Sequence, residues 1–169
     1  MIDIRPATPD DAPALAAAVM RNRDRMRPWE PYRPQGYYTV EGQAQRLADG
    51  AKRWFALDRE AIVGVATLSG IALGPLRSAS LGYWIDGAYT GRGLATNLVD
   101  EVCRAAREQL GLHRIEAGTL LDNHASQRVL AKSGFERIGT APRYLHIDGT
   151  WRDHYLFQRI LHDDAPSQG

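Results

Sequence analysis

A glycine-rich loop that directly follows an apolar stretch is the most informative chemical feature of this sequence. Residues 81–85 are predicted to form a strand, and a short turn leads to Gly91, Arg92 and Gly93 and then to an amphipathic helix. Glycines at a helix entrance leave backbone N–H groups unpaired at the positive end of the helix dipole, where phosphate or pyrophosphate binds. The pattern indicates a phosphate-bearing ligand, although a glycine pair alone is equally compatible with a tight turn that binds nothing.

Two common nucleotide-binding loops do not fit this stretch. A dinucleotide-binding loop has a third glycine and belongs to an early βαβ unit, whereas Thr96 takes that place here and extended segments precede the loop. A Walker phosphate loop requires Gly-Lys followed by Ser or Thr, a combination that the sequence lacks. Both of these nucleotide-binding interpretations are therefore excluded.

A second segment narrows the interpretation. Residues 122–135 are predicted to form a short helix after a strand, with Asn123 as its N-cap and Gly134 in the left-handed position at its end. Gly-Arg-Gly-Leu-Ala-Thr at residues 91–96, followed by Asp-Asn-x-x-Ser-x-x-Val-Leu-x-Lys-Ser-Gly-Phe at residues 122–135, resembles the GNAT acetyltransferase superfamily. The resemblance extends over nearly the whole chain.

The resemblance implies both a fold and a donor. The fold would be α/β (α+β), with a mixed, mostly antiparallel sheet of about seven strands, about four flanking helices and a gap between the two central parallel strands. Acetyl-CoA would be the donor substrate, and no metal would be needed. Its pyrophosphate would bind the loop and the helix start, which comprise Gly91, Arg92, Gly93, Leu94, Ala95 and Thr96.

Further roles at the donor site follow from the same resemblance. Backbone N–H groups from Tyr83, Trp84 and Ile85 would polarise the thioester carbonyl. Asn123 would contact the pantetheine, and Ser126 would contact the thiol and donate a proton to it as it leaves. A serine in the first turn of a helix can instead serve only as part of the cap, so this alternative stays open for Ser126.

Two segments outside the donor site resemble the ribosomal-protein alanine N-acetyltransferase branch of this superfamily. They are residues 26–31 and 144–154. That branch acetylates the N-terminal α-amine of a small-subunit ribosomal protein. The acceptor would then contact Trp29, Glu30, Tyr38, Arg143, Tyr144 and Trp151, although aromatic side chains in such a loop can also simply pack it onto the sheet.

The general base is not evident from the sequence. Relatives place an acidic residue where this chain has Arg143, which in an enzyme for small amines would instead recognise a substrate carboxylate or phosphate. Glu116 could act through a water and Glu30 could hold the incoming ammonium, while a structural role stays open for both. A peptide α-amine has a reference pKa of about 7.7–8.0, whereas lysine at about 10.4 needs roughly 4 kcal/mol more to deprotonate, so a weak base favours an α-amine acceptor.

Composition limits the remaining possibilities. The net charge of +1 argues against a DNA- or RNA-binding surface of general basicity, although Arg21, Arg23, Arg25 and Arg27 form a local basic patch. The single cysteine, Cys103, falls on an apolar helix stripe and is predicted to be a core residue, and the five histidines show no metal-ligand spacing. Without a signal peptide or apolar span, a cytoplasmic monomer or homodimer is expected.

The order of elements predicts one domain over residues 1–161 and a frayed tail over residues 162–169. Strands are expected at 2–5, 54–57, 62–68, 80–85, 114–120 and 135–139, and a terminal hairpin at 144–147 and 151–160. Helices are expected after Thr8, over residues 39–50, after Gly93 and after Asn123.

Three functions remain open at this point. The first is N-terminal acetylation of a ribosomal or other protein by direct transfer in a ternary complex. The second is acetylation of a small amine such as an antibiotic or polyamine, and the third is binding of acyl-CoA by a regulator without turnover.

Overall fold

A seven-stranded sheet forms the centre of the protein, as a computed structural model that describes residues 1–166 shows. The strands in chain order are β1 Ile2–Pro6, β2 Lys52–Asp58, β3 Ala61–Ala72, β4 Ser78–Ile85, β5 Arg114–Leu120, β6 Glu136–Ile147 and β7 Thr150–Ile160. Their order in space is β1-β2-β3-β4-β5-β7-β6, and only β4 and β5 run parallel. The predicted mixed, mostly antiparallel sheet is confirmed.

Five α-helices cover the two faces of this sheet within the described residues. They are α1 Ala12–Arg21, α2 Arg23–Met26, α3 Val40–Leu47, α4 Leu94–Glu108 and α5 His124–Lys132. Helix α1 packs Leu15 and Val19 on Phe55 and Val65, and α3 lies beside α1. Helices α4 and α5 pack on the opposite face, where their core residues include Leu98, Val99, Val102 and Leu130. None of these helices is long and apolar enough to cross a membrane.

The helix starts follow the predicted capping residues. The backbone N–H of Thr8 donates to Asp11 over 2.7 Å at the start of the 3₁₀ turn that leads into α1. Asp11 also pairs with Arg5 over 2.7 Å, and these hydrogen bonds hold the pKa of its carboxyl below the usual value. Asn123 caps α5, because its Oδ1 accepts the N–H of Ser126 over 3.2 Å.

Several boundaries differ from the sequence prediction. The stretches 135–139 and 144–147 belong to one strand, β6, whose pairing with β7 shifts between Ala141 and Leu145, where Arg143 has a positive φ of 48°. Pro142 lacks an N–H for the ladder, which fits the interruption of the pairing at this point. The short helix α2 was not predicted, and α3 ends at Leu47 rather than near residue 50. Residues 162–166 have no regular structure, and the rest of the predicted tail, residues 167–169, lies outside the described residues.

The predicted gap between the central parallel strands is confirmed. Strands β4 and β5 pair only at Ser78 with Arg114, Ala79 with Ile115 and Ser80 with Glu116. Beyond these pairs β4 stays hydrogen-bonded to β3, and β5 stays hydrogen-bonded to β7. The sheet therefore opens as a V between residues 81–85 and 117–120.

Candidate active site

A cavity of about 820 Å³ fills the V-shaped gap. Its walls include residues 81–85 of β4 and 117–120 of β5. Leu15 and Val19 reach it from one face of the sheet, whereas Ser126 and Val129 reach it from the other. The cavity thus passes through the sheet, and two molecules can enter the gap from opposite sides.

The glycine loop forms one mouth of this cavity. Gly91 and Gly93 have positive φ values of 74° and 75°, a conformation that glycine adopts without strain, and a Cβ at either position would meet no protein atom within 4 Å. Gly93 precedes the first turn of α4, whose leading N–H groups have no acceptor within the helix. The open space and the free N–H groups together form a cradle for an anion.

The predicted loop residues divide into two groups. The cavity is lined by Gly91, Gly93, Leu94, Ala95 and Thr96. Arg92 is not part of this lining. Its guanidinium lies 5.2 Å from the ring centre of Tyr89, which does line the cavity and whose hydroxyl donates to Asp58 over 2.6 Å. The backbone forms the cradle, and Arg92 contributes charge near its edge.

The end of β4 supplies backbone groups to the gap. Tyr83, Trp84 and Ile85 all line the cavity. The N–H of Asp86 donates to Val63 of β3 over 2.8 Å, so alternation along the strand directs the N–H of Trp84 to β3 and those of Tyr83 and Ile85 into the gap. The carbonyl of Ile85 also faces away from β3, because it accepts a hydrogen bond from Arg25.

Ser126 and Tyr83 form a hydroxyl pair on the α4 and α5 face of the gap. Their hydroxyl oxygens are 2.7 Å apart, and the Tyr83 hydroxyl also donates to the carbonyl of Ser126 over 3.2 Å. Burial raises the pKa of Tyr83 to about 12, so this phenol stays protonated at neutral pH. The hydroxyl of Tyr83 was not among the predicted groups, since the sequence had indicated only its backbone.

The two predicted acidic residues lie in different surroundings. Glu30 lines the cavity, its side chain is only 16% exposed, and burial raises the pKa of its carboxyl. Glu116 does not line the cavity, its side chain is half exposed, and it pairs with Arg114 over 3.2 Å. The structure therefore brings Glu30 but not Glu116 to the site.

A histidine that the sequence analysis gave no role lines the cavity beside Gly118. His154 is 3% exposed, and its Nδ1 lies 3.0 Å from the carbonyl oxygen of Arg152. Because a carbonyl can only accept, Nδ1 carries the proton in this contact and Nε2 keeps a lone pair. A Cβ at Gly118 would lie 3.7 Å from the His154 ring, so the glycine leaves the space beside the imidazole open. The sequence offered one indication of a role for His154, namely that it ends the 144–154 segment on which the resemblance to the ribosomal-protein branch rests.

The predicted aromatic acceptor residues are only partly assembled. Trp29 lines the cavity and is 39% exposed. Tyr38 packs edge-on against Tyr37, with ring centres 5.1 Å apart, and does not line the cavity. Tyr38 therefore packs within its own loop, which is the alternative that the sequence left open for these aromatic residues.

The β6–β7 hairpin holds its predicted residues outside the cavity. Arg143 is exposed at the irregular part of β6, where its backbone N–H donates to Asp153 over 2.8 Å. Tyr144 packs on His154 with ring centres 5.4 Å apart, and Trp151 packs on His146 and lines a separate shallow pocket. The prediction that Arg143 and Trp151 contact the same cavity as Trp29 does not fit this arrangement.

Two further chemistries receive no support from the described residues. Within residues 1–166, no group of three or more His, Cys, Asp or Glu is placed to hold a metal ion. Cys103 is 1% exposed in the core beneath α4, and burial raises the pKa of its thiol to about 11. A thiol in that state is a poor nucleophile.

One family model and three known proteins illustrate what this chain resembles. The family model described as Acetyltransferase (GNAT) domain matches residues 2–136. The ribosomal protein uS5-alanine N-acetyltransferase of Escherichia coli K12 is 34% identical over 168 residues, which cover 94% of this chain and 87% of that protein. The ribosomal-protein-S5-alanine acetyltransferase from Vibrio fischeri is 33% identical, with a TM-score of 0.93 over 98% of this chain and 96% of that one. Mycobacterium smegmatis RimJ, solved with CoA-disulfide, is 29% identical, with a TM-score of 0.86 over 94% of this chain and 81% of that one.

A substitution at the loop tests the anion cradle. Gly93→Ala is expected to raise the Kd for coenzyme A by about tenfold or more, because the added methyl group occupies space that the protein leaves open for the ligand. Isothermal titration calorimetry measures the change.

Gly70→Ala is the matched control. Gly70 also has a positive φ, 59°, with no atom near its Cβ position, but it does not line the cavity. Both variants should therefore lose about 1–2 kcal/mol of folding free energy from backbone strain, and only Gly93→Ala should weaken coenzyme A binding. Equal affinities in the two variants would show that the loop does not hold the ligand.

Proposed function

The chain belongs to the GNAT acetyltransferase family and is an acetyl-CoA-dependent N-acetyltransferase, and from that premise we propose that its acceptor is the N-terminal α-amine of a protein, in first place a ribosomal protein. The observation that carries the proposal is the cavity that passes through the sheet. The donor can fill the α4 and α5 side while an extended N-terminus enters from the α1 side. Such an arrangement suits direct transfer between two bound substrates, without an acylated side chain.

On the donor side, backbone groups bind and polarise acetyl-CoA, and one hydroxyl pair supplies the proton for the leaving thiolate. The N–H groups at the start of α4 hold the pyrophosphate, and Asn123 orients the pantetheine while it caps α5. The N–H groups of Tyr83 and Ile85 that face the gap polarise the thioester carbonyl. When the Tyr83 hydroxyl donates to the Ser126 hydroxyl rather than to the Ser126 carbonyl, the serine proton is left free for the departing sulfur.

On the acceptor side, His154 is the general base in this proposal. Phe157 belongs to the core beneath α4, and His154, three residues earlier on β7, faces the other side of the sheet. The base is therefore separated by the sheet from Ser126, which provides the acid. Nε2 carries the lone pair that accepts the proton of the amine, because the carbonyl of Arg152 holds the proton on Nδ1.

The reference pKa of the amine supports an α-amine acceptor. An N-terminal amine, with a reference pKa of about 7.7–8.0, is partly neutral near neutral pH, so one imidazole is a sufficient base. The ammonium of a lysine side chain has a reference pKa about two to three units higher, so the same base would deprotonate it much less readily. Glu30, close to Trp29, is placed to hold the ammonium before it loses its proton.

A paired acceptor panel tests the proposed function. Release of free thiol from acetyl-CoA is measured with short peptides that begin with Ala, Ser, Gly or Met, and with polyamines and aminoglycosides. Turnover is expected with the peptides, highest for N-terminal Ala or Ser, and mass spectrometry should place the acetyl group on the α-amine. Turnover confined to the small amines would contradict the proposal.

The hydroxyl pair can be tested by removing one oxygen at a time. Ser126→Ala is expected to lower kcat by about 10²-fold with little change in the KM for acetyl-CoA, because the proton donor to the thiolate is lost but the binding contacts remain. Tyr83→Phe should have a smaller effect, since the serine hydroxyl stays in place.

Ser133→Ala is the matched control for these two variants. Ser133 lies at the C-terminal end of the same helix, and its buried hydroxyl has no hydrogen-bond partner among the described residues. Its replacement should leave kcat unchanged. If Ser126→Ala also left kcat unchanged, Ser126 would be only part of the helix cap.

The role of His154 predicts a change in the pH profile. Asparagine can still donate to the Arg152 carbonyl but has no basic nitrogen, so His154→Asn should lower kcat/KM by about 10²-fold near pH 7. The deficit should shrink above about pH 8.5, where the α-amine is already neutral. Rates over pH 6–9 with an alanine peptide measure this effect.

His146→Asn provides the control for His154→Asn. His146 lies on the neighbouring strand, where it packs on Trp151 outside the cavity, and its replacement should not alter the profile. A deficit in His154→Asn that stayed constant across the pH range would indicate a structural role rather than proton transfer.

A further inference from the structure

The acceptor side of the cavity carries an excess of positive charge that acetyl transfer alone does not explain. Four arginines and one carboxylate line the wall that α2, the loop after it, α3 and β2 form. They are Arg25, Arg33, Arg46, Arg53 and Glu30. The whole chain has a net charge of +1, so this wall is far more basic than the average surface.

Two of the arginines are already engaged by the protein. Arg53 has a side-chain exposure of only 4% and binds both carboxylate oxygens of Asp49, over 2.8 and 3.0 Å. Arg25 donates to the carbonyl of Ile85 and lies near Asn22. Both act as structural links between elements, and neither is available to bind a ligand through its full guanidinium.

The other two arginines are held in place but not neutralised. Arg33 and Arg46 lie 4.7 and 5.0 Å from the ring centre of Tyr37. The buried Nε of Arg33 has no hydrogen-bond partner among the described residues, and its nearest carboxylate is Glu30 at 3.8 Å. Arg46 forms no ion pair within residues 1–166, and burial lowers the pKa of its guanidinium. Arg33, Arg46 and Arg53 thus share two carboxylates, Glu30 and Asp49, and Arg53 already binds both oxygens of Asp49.

Burying part of a guanidinium without a counter-ion costs free energy, and a bound anion offsets that cost. The planar donors of a guanidinium match the two oxygens of a carboxylate, and stacking on an aromatic ring holds them in a fixed orientation. Tyr37 orients both arginines in this way. The geometry is that of a prepared carboxylate site on the side of the sheet that faces the incoming amine.

We propose that the acceptor carries a carboxylate that binds between Arg33 and Arg46 while its amine reaches the gap beside His154. The inference rests on the proposed function, because it names the chemical class of that acceptor. The carboxylate is either an acidic side chain near the N-terminus of a peptide or the α-carboxylate of a very short acceptor. Glu30, next to the two arginines, then faces the ammonium end of the same molecule.

Matched peptides test the charge requirement. Hexapeptide amides that begin with Ala-Glu, Ala-Gln and Ala-Lys differ in one side chain and have no C-terminal carboxylate. Alanyl-glycine and its amide test the second source, the α-carboxylate. The Ala-Glu peptide or the free dipeptide should have a KM about tenfold or more below that of its neutral partner, and the difference should decrease in high salt.

Variants assign any preference to the two arginines. Arg46→Gln and Arg33→Gln should each raise the KM for the carboxylate-bearing acceptor by about tenfold while changing that of the neutral one less than about twofold. Arg46→Lys should restore only part of the loss, because an ammonium cannot make the paired contact. Arg23→Gln, which removes an arginine stacked on Tyr38 outside the cavity, is the control.

The outcomes separate the two proposals. Equal KM values for acidic and neutral acceptors, or a preference that both glutamine variants retain, would overturn the carboxylate site while leaving α-amine acetylation intact. Absence of turnover with every peptide would overturn the proposed function instead. In that case, titration of the Ala-Glu and Ala-Gln peptides into the coenzyme A complex still decides whether the arginines select a carboxylate.

Discussion

The separation of β4 from β5 after Ser80 and Glu116 is the constraint on which the rest of the site depends. Strand β4 stays paired with β3 and β5 with β7, so only the backbone N–H and C=O groups that face the gap lose their hydrogen-bond partners in the sheet. Arg25 satisfies one of them, the carbonyl of Ile85. Asp86, directly after β4, accepts hydrogen bonds from Arg21 and Asn22 at the end of α1 and so fixes the far end of the V. Burial alone would raise the pKa of Asp86, but these bonds and that from the Ala88 N–H hold it below its usual value.

The alternation of side chains along the two strands divides the chemistry between the faces of the sheet. Tyr83 packs with the core beneath α4, whereas Trp84 packs with the cluster beneath α1. In the same way Phe157 and His154 of β7 point to opposite faces. In the proposed mechanism, the hydroxyl pair on one side supplies a proton to the leaving thiolate and the imidazole on the other side removes one from the amine. In that mechanism the thioester and the amine meet in the gap between β4 and β5, which is lined by residues from both faces.

The sequence could indicate a donor side because the signals for it are local. A glycine pair before a helix, and an Asn with a Ser three residues later, each describe a single turn of backbone, so their geometry follows from spacing alone. The acceptor side depends on pairing register. Arg143 and Trp151 were expected at the cavity, but neither lines it: Arg143 lies where the pairing of β6 with β7 is interrupted, and Trp151 packs on His146. The pairing of β5 with β7 brings His154 opposite Leu120 and next to Gly118, a contact between distant segments that no local pattern indicates.

The arginine pair shows the same limit in terms of charge. Arg33 lies in a proline-rich loop and Arg46 on α3, and each is unremarkable by sequence, where arginines on a loop or helix are normally solvated. Only the fold places both beside Tyr37 and removes part of their water, with Glu30 3.8 Å from Arg33 and no ion pair on Arg46 within residues 1–166. The net charge of +1 therefore gives no indication that one wall of the cavity is strongly basic. In the proposed function the donor is bound by backbone N–H groups and the acceptor by side-chain charges, so donor binding and acceptor choice would change independently.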